Sequence, residues 1–182
     1  IHQLSEAGVL SREMADLLIL AIAGGLNILI SGGTQAGKTT LLSALVSEIP
    51  FSHRVITIEE VFEIHPRLPD VIQLQTRSAN LQGEGEITLR RLVKEALRMR
   101  PNRIIIGEVR EAEALDLLIA LNSGLPGMGT IHANSAREAI NKLMLLPLLG
   151  GPNIQAEFVK KSVGQVIDFA IHLERNQTGF RQ

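Results

Sequence analysis

The 182-residue sequence contains no cysteine, no tryptophan and no tyrosine, and only five phenylalanines. The absence of cysteine excludes disulfides and thiolate metal sites, and it is compatible with a cytosolic protein. Because aromatic side chains are scarce, the core must be built from Leu, Ile, Val and Ala, within a hydrophobic fraction of 45%. An aliphatic core of this kind suits helices layered on a mostly parallel sheet.

A strong net charge and long apolar runs are also missing. The net charge of -1 gives no overall attraction towards nucleic acid or anionic membranes. The longest apolar stretches, such as residues 17–23, are shorter than the roughly 20 residues that span a membrane. The length fits one domain, residues 1–182. Because the chain begins with Ile1 and not Met, we expect it to be a fragment of a longer protein.

Apolar runs alternate with helical patterns along the chain, which predicts βαβ units and an α/β fold with a mostly parallel sheet flanked by helices. Strands are predicted at residues 27–30, 55–58, 71–75, 103–107, 130–131 and 166–173. Helices are predicted at residues 11–23, from about 38 until Pro50, at 89–99, at 112–122, from 135 onwards, and at 155–162.

A glycine-rich segment, Gly32 to Thr39, matches the pattern G-x-x-x-x-G-K-[ST] of phosphate-binding loops. Such a loop wraps backbone N–H groups around phosphates, Lys38 adds charge on the β- and γ-phosphates, and the Thr39 hydroxyl binds Mg²⁺. A chance glycine turn is the alternative, but a strand before the loop and a helix after it favour ATP and Mg²⁺ binding. The residues predicted to contact the nucleotide are Gly33, Thr34, Gln35, Ala36, Gly37, Lys38, Thr39 and Thr40.

Carboxylates follow two of the predicted strands. Glu108 comes directly after residues 103–107, at the end of a strand where parallel sheets bind ligands. Glu59 and Glu60 follow residues 55–58, and their mutual repulsion favours a nearby cation such as Mg²⁺. The alternatives are a solvated Glu108 paired with Arg110, and a solvated acidic loop after the second strand.

One histidine and one basic segment are further candidates. His132 lies between a short strand and a helix that opens with a capping box, and a histidine there is able to donate to a γ-phosphate, although lone histidines are more often structural. A basic segment offers charge for nucleic acid, but no aromatic residue for base stacking is interleaved with it. A solvated face, or arginine fingers reaching a neighbouring subunit, are the alternatives. The segment comprises Arg90, Arg91, Lys94, Arg98, Arg100, Arg103 and Arg110.

Three stretches, residues 97–103 (LRMRPNR), 107–110 (GEVR) and 130–135 (TIHANS), resemble the secretion-superfamily ATPases of type II and type IV secretion and type IV pili. The resemblance covers residues 4–173 and is greatest to the CpaF-type ATPase of tight-adherence (Flp-type) pili. It implies a RecA-like C-terminal ATPase domain that acts as a homo-hexamer with a separate N-terminal domain. It also implies a cytoplasmic location, peripheral to the inner membrane, with the membrane platform proteins as partners.

The resemblance also implies roles for single residues. Glu108 would polarise the lytic water, Glu59 and Glu60 would form the acidic box near Mg²⁺, and His132 would contact the γ-phosphate region. The acidic box usually contains Glu-Asp, and glycine is common where this chain has Gln35. Arg77 resembles a recurring family arginine and is a candidate arginine finger.

The leading hypothesis is therefore an ATP-hydrolysing motor for pilus assembly or protein secretion, without a nucleic-acid partner. A DNA-translocating or conjugation motor is a second hypothesis, which requires salt-dependent DNA binding by the basic segment. A nucleotide-gated binding module with little turnover is the third.

Overall fold

A computed structural model describes residues 1–175, so residues 176–182 of the predicted domain lie outside the described part. In chain order the elements are α1 (His2–Glu6), α2 (Arg12–Ala23), β1 (Ile28–Gly32), α3 (Lys38–Val46), β2 (Val55–Glu59), β3 (Val71–Gln75), α4 (Leu89–Ala96), β4 (Arg103–Val109), α5 (Glu113–Asn122), β5 (Gly127–His132), α6 (Ala136–Leu145), α7 (Ala156–Val166) and β6 (Phe169–Leu173). Short 3₁₀ turns at Leu97–Met99 and Leu146–Gly150 extend α4 and α6.

The six strands form one sheet in the order β3-β2-β4-β5-β1-β6, and every neighbouring pair is parallel. The predicted parallel sheet flanked by helices is thus confirmed, and the fold is RecA-like. Strands β1 and β2 are buried along their whole length. Among the described residues, no helix has both the length and the apolarity to cross a bilayer.

Continuous apolar strands are required because helices cover both faces of the sheet. Ile104 and Ile106 of β4 point into a cluster formed with α4, α5, α6 and α7. Ile105, between them, points into a second cluster formed with α2 and α3. The run of three isoleucines therefore fills two cores, one on each face, because successive side chains alternate along a strand.

Three strand boundaries differ from the predictions, and one of them is the start of β6. Strand β6 begins at Phe169, three residues later than predicted, because α7 continues to Val166. Strand β5 begins at Gly127, three residues earlier than predicted, since Gly127 and Gly129 fit closely against Ile104 and Ile106. Strand β4 continues through Val109, and its register with β5 shifts between Ile106 and Val109. Glu108 therefore lies inside the irregular end of β4, whereas the sequence predicted it directly after the strand.

Replacing Gly127 by alanine should destabilise the fold by about 1–3 kcal/mol, because overpacking forces neighbouring atoms apart. An added Cβ would lie 2.7 Å from Leu121 Cδ2 and 3.0 Å from the Ile104 carbonyl oxygen. Gly164 in α7 is the matched control, since nothing lies within 4 Å of its added Cβ. Gly164→Ala should stabilise by about 0.5–1 kcal/mol, because alanine is the better helix former. Urea unfolding measures the stability of both variants. A Gly127→Ala variant more stable than Gly164→Ala would refute this packing argument.

Candidate functional site

A cavity of about 870 Å³ opens at the carboxyl ends of β1, β2, β4 and β5. This is the edge at which parallel α/β sheets bind ligands, and the volume falls in the usual range of small-molecule sites. Residues 34–40 form one wall. The other lining residues come from the remaining strand ends and from α6, and they are Glu59, Glu60, Val61, Glu63, Gly107, Glu108, Arg110, Thr130, His132 and Lys142.

The glycine-rich loop connects β1 directly to α3, as the pattern predicts. Gly37, immediately before α3, has φ = 98°, a left-handed conformation that glycine adopts without strain. Gly32 packs so tightly that an added Cβ would lie 2.7 Å from the Leu173 carbonyl oxygen. Gln35 also has a positive φ of 60°, which explains physically why glycine suits this position.

Lys38 lies inside the curve of the loop. Its Nζ donates to the carbonyl oxygens of Gly32, at 3.0 Å, and Gly33, at 2.9 Å. Burial lowers the pKa of Lys38, Glu108 opposes this shift, and Arg110 and Lys142 add to it. The ammonium group is therefore held among other cations, an arrangement that an anionic ligand would stabilise.

Arg110 links the two acidic segments that were predicted from sequence. Its guanidinium group forms ion pairs with Glu60 and Glu108, and the hydrogen bond to Glu108 raises the pKa of Arg110. The pairing of Glu108 with Arg110 was the alternative to a functional role. In the structure Glu108 both pairs with Arg110 and lines the cavity, so the ion pair does not exclude a functional role for Glu108.

Glu59 is almost fully buried, with 2% of its surface exposed. Its carboxylate accepts hydrogen bonds from Thr57 Oγ1 at 3.2 Å, from the Glu63 N–H at 2.9 Å and from the Ile64 N–H at 3.0 Å. Gly107 makes room for this side chain, because a Cβ there would lie 3.1 Å from Glu59 Cγ. The carboxylate thus holds the loop after β2 in place at the cavity wall.

Replacing Glu59 by alanine should lower the free energy of unfolding by about 1–3 kcal/mol, because it removes the acceptor of two backbone N–H groups and a buried hydroxyl. The exposed neighbour Glu63 is the matched control, and Glu63→Ala should change stability by less than about 0.5 kcal/mol. Chemical unfolding of both variants measures the difference. Equal stabilities would remove the structural role from Glu59.

His132 is the last residue of β5, is exposed, and lies opposite Gly32 in the register with β1. The predicted helix start is confirmed, since Ser135 Oγ accepts from the Glu138 N–H at 3.0 Å. Lys142, further along α6, donates from Nζ to the His132 carbonyl oxygen at 3.0 Å. The sequence did not predict Lys142 as a site residue, because a lysine on a helix usually belongs to a solvated face.

Arg77 lies apart from the other predicted residues. It is exposed, its Nε donates to the Gly85 carbonyl oxygen at 2.7 Å, and it lines a second cavity of about 390 Å³. The residues lining the phosphate-loop cavity do not include it. A role as an arginine finger would therefore require a neighbouring subunit and stays a prediction.

The basic segment does not act as one surface. Arg103 is buried and donates to the Ile22 carbonyl oxygen at 2.6 Å. Arg90 and Lys94 both pair with Asp116, while Arg110 faces Glu60 and Glu108. These contacts divide the charge among different parts of the fold, which weakens the case for a nucleic-acid track.

The donor set fits Mg²⁺ bound together with phosphates. Mg²⁺ commonly uses one or two carboxylates plus substrate phosphates and waters, and seldom an all-protein cage. Residues 1–175 contain no group of three or more His, Asp or Glu arranged to hold a metal without a ligand. The Thr39 hydroxyl and the exposed Glu60 carboxylate line the same cavity. The Glu59 carboxylate already accepts three hydrogen bonds and has about four acceptor sites, which favours a water-mediated contact with the ion.

A phosphate-binding loop at the carboxyl edge of this sheet defines a RecA-like P-loop protein. A family model described as "Type II/IV secretion system protein" matches residues 1–168. A putative conjugal transfer protein of Mycobacterium tuberculosis is 40% identical over 180 residues, which are 98% of this chain and 51% of that protein. The VirB11 type IV secretion protein of Bartonella quintana is 33% identical over 174 residues, covering 94% and 49%.

The solved structure of the VirB11 ATPase from the Brucella suis type IV secretion system superposes with a TM-score of 0.83 at 30% identity. The match covers 99% of this chain and 52% of that one. The chain therefore belongs to the type II/IV secretion system protein family. It spans about half the length of the relatives that it matches.

Proposed function

We propose that this chain is an ATP-hydrolysing motor domain that powers pilus assembly or protein secretion. The observation that carries the proposal is a single cavity lined both by Lys38 within its phosphate loop and by the Glu108–Arg110 pair. One wall is suited to binding phosphates, and the facing wall supplies a carboxylate for chemistry. Membership of the secretion family supports the same function.

The chemistry assigns a role to each wall. Backbone N–H groups of residues 34–40 and the Lys38 ammonium hold the phosphate chain. Thr39, Glu59 and Glu60 would hold Mg²⁺ beside the phosphates, and the ion would neutralise charge on the phosphate oxygens. Glu108 orients a water for attack on the terminal phosphorus, which produces ADP and inorganic phosphate. His132, at the end of β5, lines the same cavity and would contact the terminal phosphate.

Release of Glu108 from Arg110 is part of this mechanism. A carboxylate that forms an ion pair accepts a proton from water poorly, because the arginine stabilises its charged form. Arg110 is exposed and retains a second partner in Glu60. It is therefore able to leave Glu108 without losing every partner, and binding of the anionic nucleotide favours that move.

For the whole protein we propose a homo-hexamer peripheral to the cytoplasmic face of the inner membrane. In it a separate N-terminal domain would complete the ring, and membrane platform proteins would receive the movement. The names of the related proteins support a secretion machine. Within the secretion family, the resemblance of residues 97–103, 107–110 and 130–135 favours the CpaF-type motor of tight-adherence pili. Arg77 would act as a finger only across a subunit boundary.

The test is the rate of ATP hydrolysis per subunit as a function of protein concentration, for this chain and for a longer version with its N-terminal region. A specific rate that rises steeply with concentration would support a site completed between subunits. Flat, negligible turnover in both versions, with ATP still bound, would favour the nucleotide-gated binding module instead.

A conjugation motor is the second candidate, and it is favoured by relatives that are named conjugal transfer proteins. The division of the basic residues among separate ion pairs argues against direct DNA contact by this domain. Fluorescence anisotropy with labelled single- and double-stranded DNA decides between them. The conjugation motor would be favoured if the logarithm of the DNA-binding constant fell linearly with the logarithm of the salt concentration. It would also require that Arg91→Ala lose this binding.

A further inference from the structure

Lys142 is a half-buried lysine of α6 that lines the phosphate-loop cavity. Its Nζ donates to the His132 carbonyl oxygen at 3.0 Å. Within residues 1–175 no carboxylate lies at salt-bridge distance from it. Its charge instead faces Lys38, whose ammonium it disfavours. Because Lys142 has no ion-pair partner among these residues, an anionic ligand in the cavity would stabilise its charge together with that of Lys38.

Lys142 reaches the cavity from α6, the helix that follows β5. Residues 34–40 line the cavity, and Lys142 lines it together with Glu108 and His132. A phosphate-binding loop cradles the α- and β-phosphates with its backbone, and its lysine reaches the β- and γ-phosphates. The terminal phosphate must therefore project towards the ends of β4 and β5, where Lys142 enters.

We propose that Lys142 is a second phosphate-binding lysine, which contacts the terminal phosphate and makes the site distinguish nucleoside triphosphates from diphosphates. The proposal rests on the nucleotide-binding function proposed above. An ammonium group has three N–H donors, so Lys142 keeps its bond to the His132 carbonyl and still has two donors for phosphate oxygens. Loss of the terminal phosphate then leaves Lys142 bonded to β5 alone, which links the end of this strand to the state of the nucleotide.

A purely structural role is the alternative, in which Lys142 only ties α6 to the end of β5. Lys142→Gln separates the two roles, because the amide N–H₂ is able to donate to the His132 carbonyl while the charge is removed. Lys142→Arg restores the charge. Lys160, an exposed lysine of α7, provides the control Lys160→Gln.

The experiment is equilibrium binding of fluorescent ADP and of a fluorescent, non-hydrolysable ATP analogue, both with Mg²⁺. For Lys142→Gln we expect about tenfold or greater loss of affinity for the ATP analogue, the size of one charge-assisted hydrogen bond, and less than about threefold loss for ADP. Lys142→Arg should recover most of the difference, and Lys160→Gln should match the unmodified chain. Thermal unfolding midpoints verify that the variants are folded.

Equal losses for the two nucleotides, or no loss for either, would overturn the role of Lys142 and leave the proposed function intact. Failure of the unmodified chain to bind either nucleotide would overturn the proposed function itself. A variant that binds ADP normally but has lost selective affinity for the ATP analogue is the result that only a terminal-phosphate contact explains.

Discussion

Replacing Glu108 by glutamine is expected to reduce ATP turnover by about 10²- to 10⁴-fold, the usual contribution of a positioned general base. Glutamine keeps the size of the side chain but is unable to accept a proton from the attacking water. Nucleotide affinity should change by less than about threefold, because the interaction is needed only in the transition state. Single-turnover hydrolysis and equilibrium binding, measured on the same preparation, separate the two quantities.

The ion pair with Arg110 makes the control for this variant important. Glutamine removes one partner of Arg110, but Glu60 remains paired with it, and exposed ion pairs contribute only about 0–1 kcal/mol to stability. Glu111→Gln, an exposed glutamate in the same connection between β4 and α5, tests the effect of losing one charge nearby. Normal turnover in Glu108→Gln, or equal losses in both variants, would remove Glu108 from the chemistry.

The phosphate loop and the sheet were predictable because their signals are local. The spacing of Gly32, Gly37 and Lys38 is dictated by backbone contact with phosphates, and the structure places this loop between β1 and α3 as expected. Isoleucine runs such as residues 104–106 predict a strand covered on both faces, and two separate apolar clusters confirm it. Neither inference requires knowledge of which distant segments meet.

The remaining features depend on contacts between distant parts of the chain. Arg110 meets Glu60 across 50 residues of sequence, because β2 and β4 are neighbours in the sheet. No spacing rule predicts such pairs, because the sheet order decides which strand ends become neighbours. Glu59 shows the converse difficulty. Its acidic context suggests a metal ligand, whereas its acceptors are largely taken up by the loop that follows it.

Strand boundaries were missed for a related reason. Glycine has low strand propensity, so the predicted strand at residues 130–131 excluded Gly127 and Gly129. In the structure these glycines are selected by tertiary packing, since Ile104 and Leu121 occupy the space of a side chain at Gly127. Tertiary contacts therefore override the local preference at this position.

Replacing Lys38 by methionine is expected to weaken ATP binding by about 10- to 150-fold, the range for losing charged hydrogen bonds to the phosphates. Methionine keeps the unbranched apolar stem, so the loss reports on the ammonium group. The fold should change little, because methionine loses two hydrogen bonds to the Gly32 and Gly33 carbonyls but also removes a charge that burial disfavours, as the lowered pKa of Lys38 shows. Isothermal titration with ATP and thermal unfolding measure the two effects, with Lys161→Met on α7 as the matched control.

The lowered pKa adds a pH dependence with a definite sign. Lys38 begins to lose its proton at a lower pH than an exposed lysine, whose pKa is about 10.4, so ATP affinity should fall as the pH rises towards that value. As the pH rises, the ADP affinity of the unmodified chain should therefore fall, because Lys38 loses its proton. The ADP affinity of Lys38→Met should be nearly independent of pH. An equal decline in both proteins would mean that the charge of Lys38 does not hold the phosphates.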